Sequence, residues 1–124
     1  MTPALFILIA LAGGLGAAAR VVIDHAVMRG REGGYPWGIT AVNLTGCLAL
    51  GFVAGATSLD TPWASVAAVG FLGGYTTFST VMVDVALALQ GERWGRAVLN
   101  GGVLIVGAVA LATIGLALGR ALAA

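Results

Sequence analysis

The sequence predicts an all-α integral membrane protein: a single domain over residues 1–124, with four transmembrane helices and the third of them broken at mid-membrane. Three observations carry this. Apolar residues make up 60% of the chain and charged residues only 9%, against roughly a quarter charged in a soluble domain. The mean hydropathy is +1.03, so lipid is the solvent for most of the surface. Apolar stretches recur four times. Since a helix needs about 20 residues to cross a bilayer, four crossings use roughly two-thirds of the length and leave short connections.

The first helix is expected from Pro3 to His25 or beyond, with Pro3 tolerated in the first turn and Gly13, Gly14 and Gly16 forming a flat face that another helix can approach. Ala17, Ala18 and Ala19 look like a cleavage site. No Lys or Arg precedes Arg20, however, so the basic leader of a secretory signal is missing and a retained helix is expected. Met28 to Gly38 gathers charges, glycines and a proline and reads as a loop, with Tyr35 and Trp37 at belt depth.

The second helix is expected over Ile39 to Thr57, with small residues at Gly46, Gly51 and Gly55 suited to tight packing. Ser58 to Pro62 turns the chain, exposing Asp60, and Trp63 marks the next interface. The third helix runs from there to Gln90. Its middle, GFLGGYTTFST over Gly70 to Thr80, is a poor continuous helix, because Gly costs about 1 kcal/mol against Ala and β-branched Thr adds smaller penalties. A break is expected over Gly73 to Thr76. Unwound backbone at that depth survives only where it is buried in protein or lines a polar cavity. The fourth helix is expected from Arg96 to Leu118, capped by Gly119, with Asn100 and Thr113 as its polar side chains. The first helix has no counterpart of the break, so any inverted repeat must come from a second subunit.

Several function classes fall away. The basic residues are six arginines against five acids, without a basic run, so nothing would hold nucleic acid through its phosphates. Cys47, the one cysteine, reads as a small buried hydrophobe. The single histidine, His25, is placed at the interface, no nucleophile has a base, and no metal-ligand cluster exists. No catalytic residue is assigned, and an enzyme is not expected.

Polar side chains inside a span face a partner or a cavity, so each is a site hypothesis. Asn43 can hold helices together or donate to a ligand. Arg20 and Asp24, four apart on the first helix, are expected to pair on one face, with Arg20 snorkelling. Asp84 lies one turn after Thr80, in an aqueous vestibule or at the surface. Around Phe78 stand the hydroxyls of Thr76, Thr77, Ser79 and Thr80. A phenyl edge is positive, so hydroxyl donors, an amide donor and ring edges together suit a small anion.

On these residues the chain resembles the Fluc, or CrcB, fluoride channels of microorganisms. GGLGAAAR (Gly13 to Arg20) looks like that family's first helix, VNLTGCLALG (Val42 to Gly51) is similar to its helix-two asparagine motif, and GFLGGYTTFST looks like its signature. The resemblance implies a multi-pass protein of the inner (plasma) membrane, embedded in lipid, that lets cytoplasmic fluoride out passively through two narrow pathways in an antiparallel dimer. It implies that Asn43, Phe78, Ser79 and Thr80 line the pathway. It further implies that the backbone carbonyls of Gly73 and Thr76 hold a structural sodium ion, and that Asp84 stands at an acidic position usually held by Glu. Fluoride is strongly hydrated, so a pore must replace water with donors of its own.

The chain departs from that pattern. Val81 stands where the family has a second phenylalanine, Ile39 where it has a threonine, and the fourth helix lacks the usual tyrosine and serines. Arg29, Arg31, Arg93 and Arg96 lie on one side of the membrane and Arg120 on the other, a bias that favours one orientation with both termini outside. A heterodimer with an oppositely oriented paralogue therefore stands beside the homodimer, and a non-conducting partner subunit beside the channel. A small drug/proton antiporter would need a carboxylate at the heart of the first helix, which has none before Asp24.

Overall fold

In the computed structural model, which describes Met1–Ala124, all regular structure is helical. Helix α1 covers Pro3–Met28. Thr2 caps it by accepting from the Leu5 N–H, and Pro3, whose missing N–H is no loss there, opens the first turn. Helix α2 covers Trp37–Ala56. Helix α3 is built from Pro62–Ser65, a π-helical stretch Val66–Leu72 and a last turn Gly73–Tyr75. Helix α4 covers Ser79–Gln90. Helix α5 covers Trp94–Ala123, with a second π-helical stretch at Val103–Gly107.

Taking α3 and α4 as one interrupted span, Pro62–Gln90, the chain has four spans of 26, 20, 29 and 30 residues, each long and apolar enough to cross a membrane. Trp37 and Trp94 stand exposed at one end of the bundle and Trp63 at the start of the return span, as interfacial anchors do.

The helices pack as two pairs, α1 on α3 and α2 on the second half of α5, with α4 against the start of α5. Lipid tails are as apolar as leucine, so close backbone contact rather than water exclusion holds such pairs. A Cβ at Gly51 would collide with the Ala112 backbone, and one at Gly74 with the Gly13 backbone. The large side chains point outward instead: Val98, Val106 and Leu122 are each more than two-thirds exposed. The buried hydrophobic cluster is small, centred on Val42, Leu72 and Tyr75.

Two expected boundaries move. Gly73 is fully helical (φ −63°, ψ −37°), and the helix is lost only at Thr76 (φ −79°, ψ 155°), so the break covers Thr76 to Phe78 rather than Gly73 to Thr76. Gly70 and Gly74 serve close packing on α1, and the threonines unwind. Gly119, expected as a cap, lies inside α5, which continues to Ala123 because that glycine lets α5 approach the backbone of Phe52 and Ala56.

Candidate functional site at the helix break

Asn43 is almost fully buried and faces the break. Its Nδ2 donates to the Thr77 carbonyl (2.8 Å) and its Oδ1 accepts from the Thr77 N–H (2.7 Å). One side-chain amide thus replaces both helical partners that Thr77 has lost. The Thr77 hydroxyl lies 3.0 Å from that of Thr80 and 3.3 Å from that of Ser79, and it also accepts from the Thr80 N–H. This hydroxyl group sits at the N-terminal turn of α4, the positive end of a helix dipole, where an anion is favoured.

The other half-helix presents the opposite character. The carbonyls of Gly73 and Gly74 would bond the N–H groups of Thr77 and Phe78 in a continuous helix. Thr77 N–H goes to Asn43 instead, and Phe78 N–H finds no acceptor in the chain. The C-terminal end of α3 therefore carries free carbonyls and partial negative charge. Arg20 reaches it, its Nη1 donating to the Thr76 carbonyl at 3.4 Å. The expected Arg20–Asp24 pair does not form. Four-residue spacing brings two side chains to one face, but the break draws the guanidinium away, and the Asp24 carboxylate lies against Gly38 in the first turn of α2, where a helix N-terminus favours negative charge.

Phe78 is two-thirds exposed. Its ring projects over a groove of about 330 Å³ that it shares with Asn43, Cys47, Thr77, Leu104 and Ile105. Ser79 and Thr80 are exposed beside it, while Val81 is buried and lines a separate small cavity with Thr40, Asn43 and Asn100. Asp84 is bound by Arg96 Nη2 at 2.7 Å, the one ion pair of the chain, and accepts from Asn100 Nδ2 at 2.7 Å.

The structure thus brings Asn43, Ser79 and Thr80 together around Thr77, sets Phe78 outward beside them, places Arg20 on the other side of the break, and holds Asp84 apart towards the first and third loops. Thr77, which the sequence offers only as one of the hydroxyls around Phe78, is the hub. Arg96, expected as the start of the fourth helix and as one of four charges on one side of the membrane, is the partner of Asp84. Both are defined by partners distant in sequence, so no local pattern marks them.

Comparison with known proteins is consistent along the chain. The family model described as "CrcB-like protein, Camphor Resistance (CrcB)" matches residues 7–116. The fluoride-specific ion channel FluC 1 of Leifsonia xyli subsp. xyli is 38% identical over 122 residues, covering 96% of this chain and 89% of that protein. FluC 1 of Rubrobacter xylanophilus is 41% identical over 120 residues, covering 96% and 93%, and FluC of Hyphomonas neptunium 38% over 120 residues, covering 93% and 94%. With the broken third span, the buried asparagine and this match over nearly the whole length, the chain is a multi-pass membrane protein that belongs to the CrcB family.

Proposed function

We propose that this chain is a subunit of a fluoride-selective channel that lets fluoride leave the cytoplasm passively across the inner membrane. The observation that carries the reading is the break itself. Asn43 holds Thr77 in a non-helical conformation, and the hydroxyls of Thr77, Ser79 and Thr80 gather at the positive end of α4. Hydroxyl and amide donors are what a strongly hydrated anion needs in exchange for its water, and the exposed Phe78 ring can add its positive edge. The names of the relatives, fluoride-specific ion channels, agree with it.

The groove under Phe78 is open to the outside of the bundle, and a pathway needs a second wall. We assign that wall to a second subunit in antiparallel orientation. Such a pairing also supplies the inverted half that one chain lacks. The carbonyls at the end of α3 suit a sodium ion: they are hard oxygen donors at the negative end of a helix, and those of Gly73 and Gly74 lack backbone partners. Gly73 and Thr76 would hold it, Arg20 yielding its long bond to the Thr76 carbonyl, and two subunits together would supply enough oxygens. The ion would contribute fixed positive charge beside an anion route.

The test is fluoride efflux from proteoliposomes containing this chain alone, read with a fluoride electrode. Efflux that exceeds chloride efflux is the expected result, and no fluoride efflux from well-folded dimer overturns the self-sufficient channel. The heterodimer is a second reading, favoured by four arginines at the end of the first and third loops against Arg120 at the other. It predicts that efflux returns when an oppositely oriented paralogue is added.

A further inference from the structure

On the sequence, the hydroxyl column at the break ends with Thr80. In the structure a second set of polar groups continues from Asn43 towards the first loop, and it is assembled from three other segments. Beside Asn43 lies a cavity of about 10 Å³, bounded by Thr40, Leu44, Val81, Asn100 and Leu104, roughly the room one water needs. Beyond it the Thr40 hydroxyl donates to the Tyr35 oxygen (3.1 Å), and the Tyr35 hydroxyl donates to Asn100 Oδ1 (3.5 Å). Asn100 passes the chain of bonds on to Asp84, and Arg96 closes it.

Tyr35 is not part of the helical bundle. It comes from the connection between α1 and α2, and two contacts hold that connection over the bundle end. Arg96 Nη1 donates to the Gly34 carbonyl (3.1 Å), and the Tyr35 ring leans on Trp37 with centroids 4.7 Å apart. Gly33, two residues before, takes the left-handed conformation (φ 79°) that lets the chain turn back into the bundle.

The donor inventory of this place is one-sided. Asn43 Nδ2 has two hydrogens and uses one on the Thr77 carbonyl; Asn100 Nδ2 uses one of two on Asp84. Each keeps a spare N–H. Thr40 and Tyr35 spend their single O–H groups on longer bonds than the two amides make, so these are cheaper to release. Turning the Tyr35 hydroxyl away from Asn100 frees its own proton, and Thr40 can follow. Three donors, from Thr40, Asn43 and Asn100, then line a cavity of about one water, with the Tyr35 hydroxyl bonded behind Thr40 and Asn100 at its loop side, a volume that also suits a bare fluoride ion.

We propose that Tyr35 is a pathway residue: its hydroxyl, with Thr40 and Asn100, forms the loop-side constriction through which fluoride passes between Asn43 and the Asp84–Arg96 mouth. The inference rests on the fluoride-channel reading and adds a residue from a connecting loop to the route. It explains how a buried Val81 and an apolar Leu104 are tolerated here, since the polar edge of the cavity is formed by Thr40, Asn43 and Asn100 instead.

The test compares wild type, Tyr35→Phe, Thr40→Val and the double variant in the proteoliposome efflux assay, with thermal unfolding in detergent measured alongside. Tyr35→Phe keeps the ring and its contact with Trp37. It is expected to slow fluoride efflux about tenfold, the effect of one lost donor in a dry site, with the melting temperature unchanged. The double variant is expected to be little slower than the slower single variant, because the two hydroxyls act as one bonded unit. Tyr35→Phe conducting at the wild-type rate overturns the proposal, and so does efflux that falls only together with the melting temperature. A wild-type chain that passes no fluoride instead overturns the channel reading on which this one rests.

Discussion

Asn43→Ala separates the holding of the break from everything else in the site. The substitution removes a buried amide that makes two hydrogen bonds, at 2.7 and 2.8 Å, to the same residue. Interhelical hydrogen bonds in membranes contribute about 0.6 kcal/mol on average, so the bonds alone account for about 1 kcal/mol. The larger loss is that the Thr77 N–H and carbonyl are left unpaired, and Thr77 itself is only 8% exposed. An orphaned buried group costs about 1–3 kcal/mol. Water admitted by the vacated amide offsets part of this, which leaves an expected destabilisation of about 2–4 kcal/mol.

Titration of folded protein with denaturing detergent reads that number, and the efflux assay reads whether the hydroxyl column still conducts. Asn43→Asp sharpens the result. A carboxylate can still accept from the Thr77 N–H but cannot donate to the Thr77 carbonyl, so it is expected to lose efflux as fully as Asn43→Ala. Stability of Asn43→Ala within about 0.5 kcal/mol of wild type, a surface-like effect, together with unchanged efflux, would refute the argument that this amide holds the break.

Two other predictions address packing and orientation. Gly51→Leu drives a side chain into the Ala112 backbone where α2 meets α5 and is expected to abolish folded protein in size-exclusion chromatography. Gly14→Ala has open space around it and is expected to fold as well as wild type or to gain about 0.5–1 kcal/mol from better helix propensity; loss of folded protein there would contradict the packing described. A topology reporter fused after Ala124 is expected to sit predominantly outside, because four of five interfacial arginines lie at the opposite end. Equal populations on both sides would remove the case for a preferred orientation and with it the reason to look for a paralogue.

Hydropathy alone made the four spans legible, because length and apolar content decide a crossing almost without regard to neighbours. The break was legible too, from glycines and threonines at mid-depth, but its position was not. Glycine has two uses in a membrane helix, unwinding and close approach, and only the neighbouring helix tells them apart. Here Gly74 lies against Gly13, and Thr76 and Thr77 unwind. Asn43 announced itself as a polar side chain in an apolar run. Its partner did not, since Thr77 lies 34 residues away in the chain. The Arg20–Asp24 pairing failed for a related reason. The four-residue rule holds for an isolated helix surface, whereas Arg20 had a backbone carbonyl of another span within reach. Tyr35 was read as an interfacial ring because its loop gave no sign that the hydroxyl turns inward to residues 5 and 65 positions away.

The broken span also bears on how the protein is made. A chain released into the bilayer alone would turn Phe78, Ser79, Thr80 and the unpaired amide of the break towards hydrocarbon, where each unsatisfied backbone group costs several kcal/mol. On the proposed antiparallel pairing, a solitary copy is thus a high-energy intermediate. The cellular level of this chain should then follow the supply of whatever covers that face, so that the defect which serves permeation also couples its lifetime to assembly.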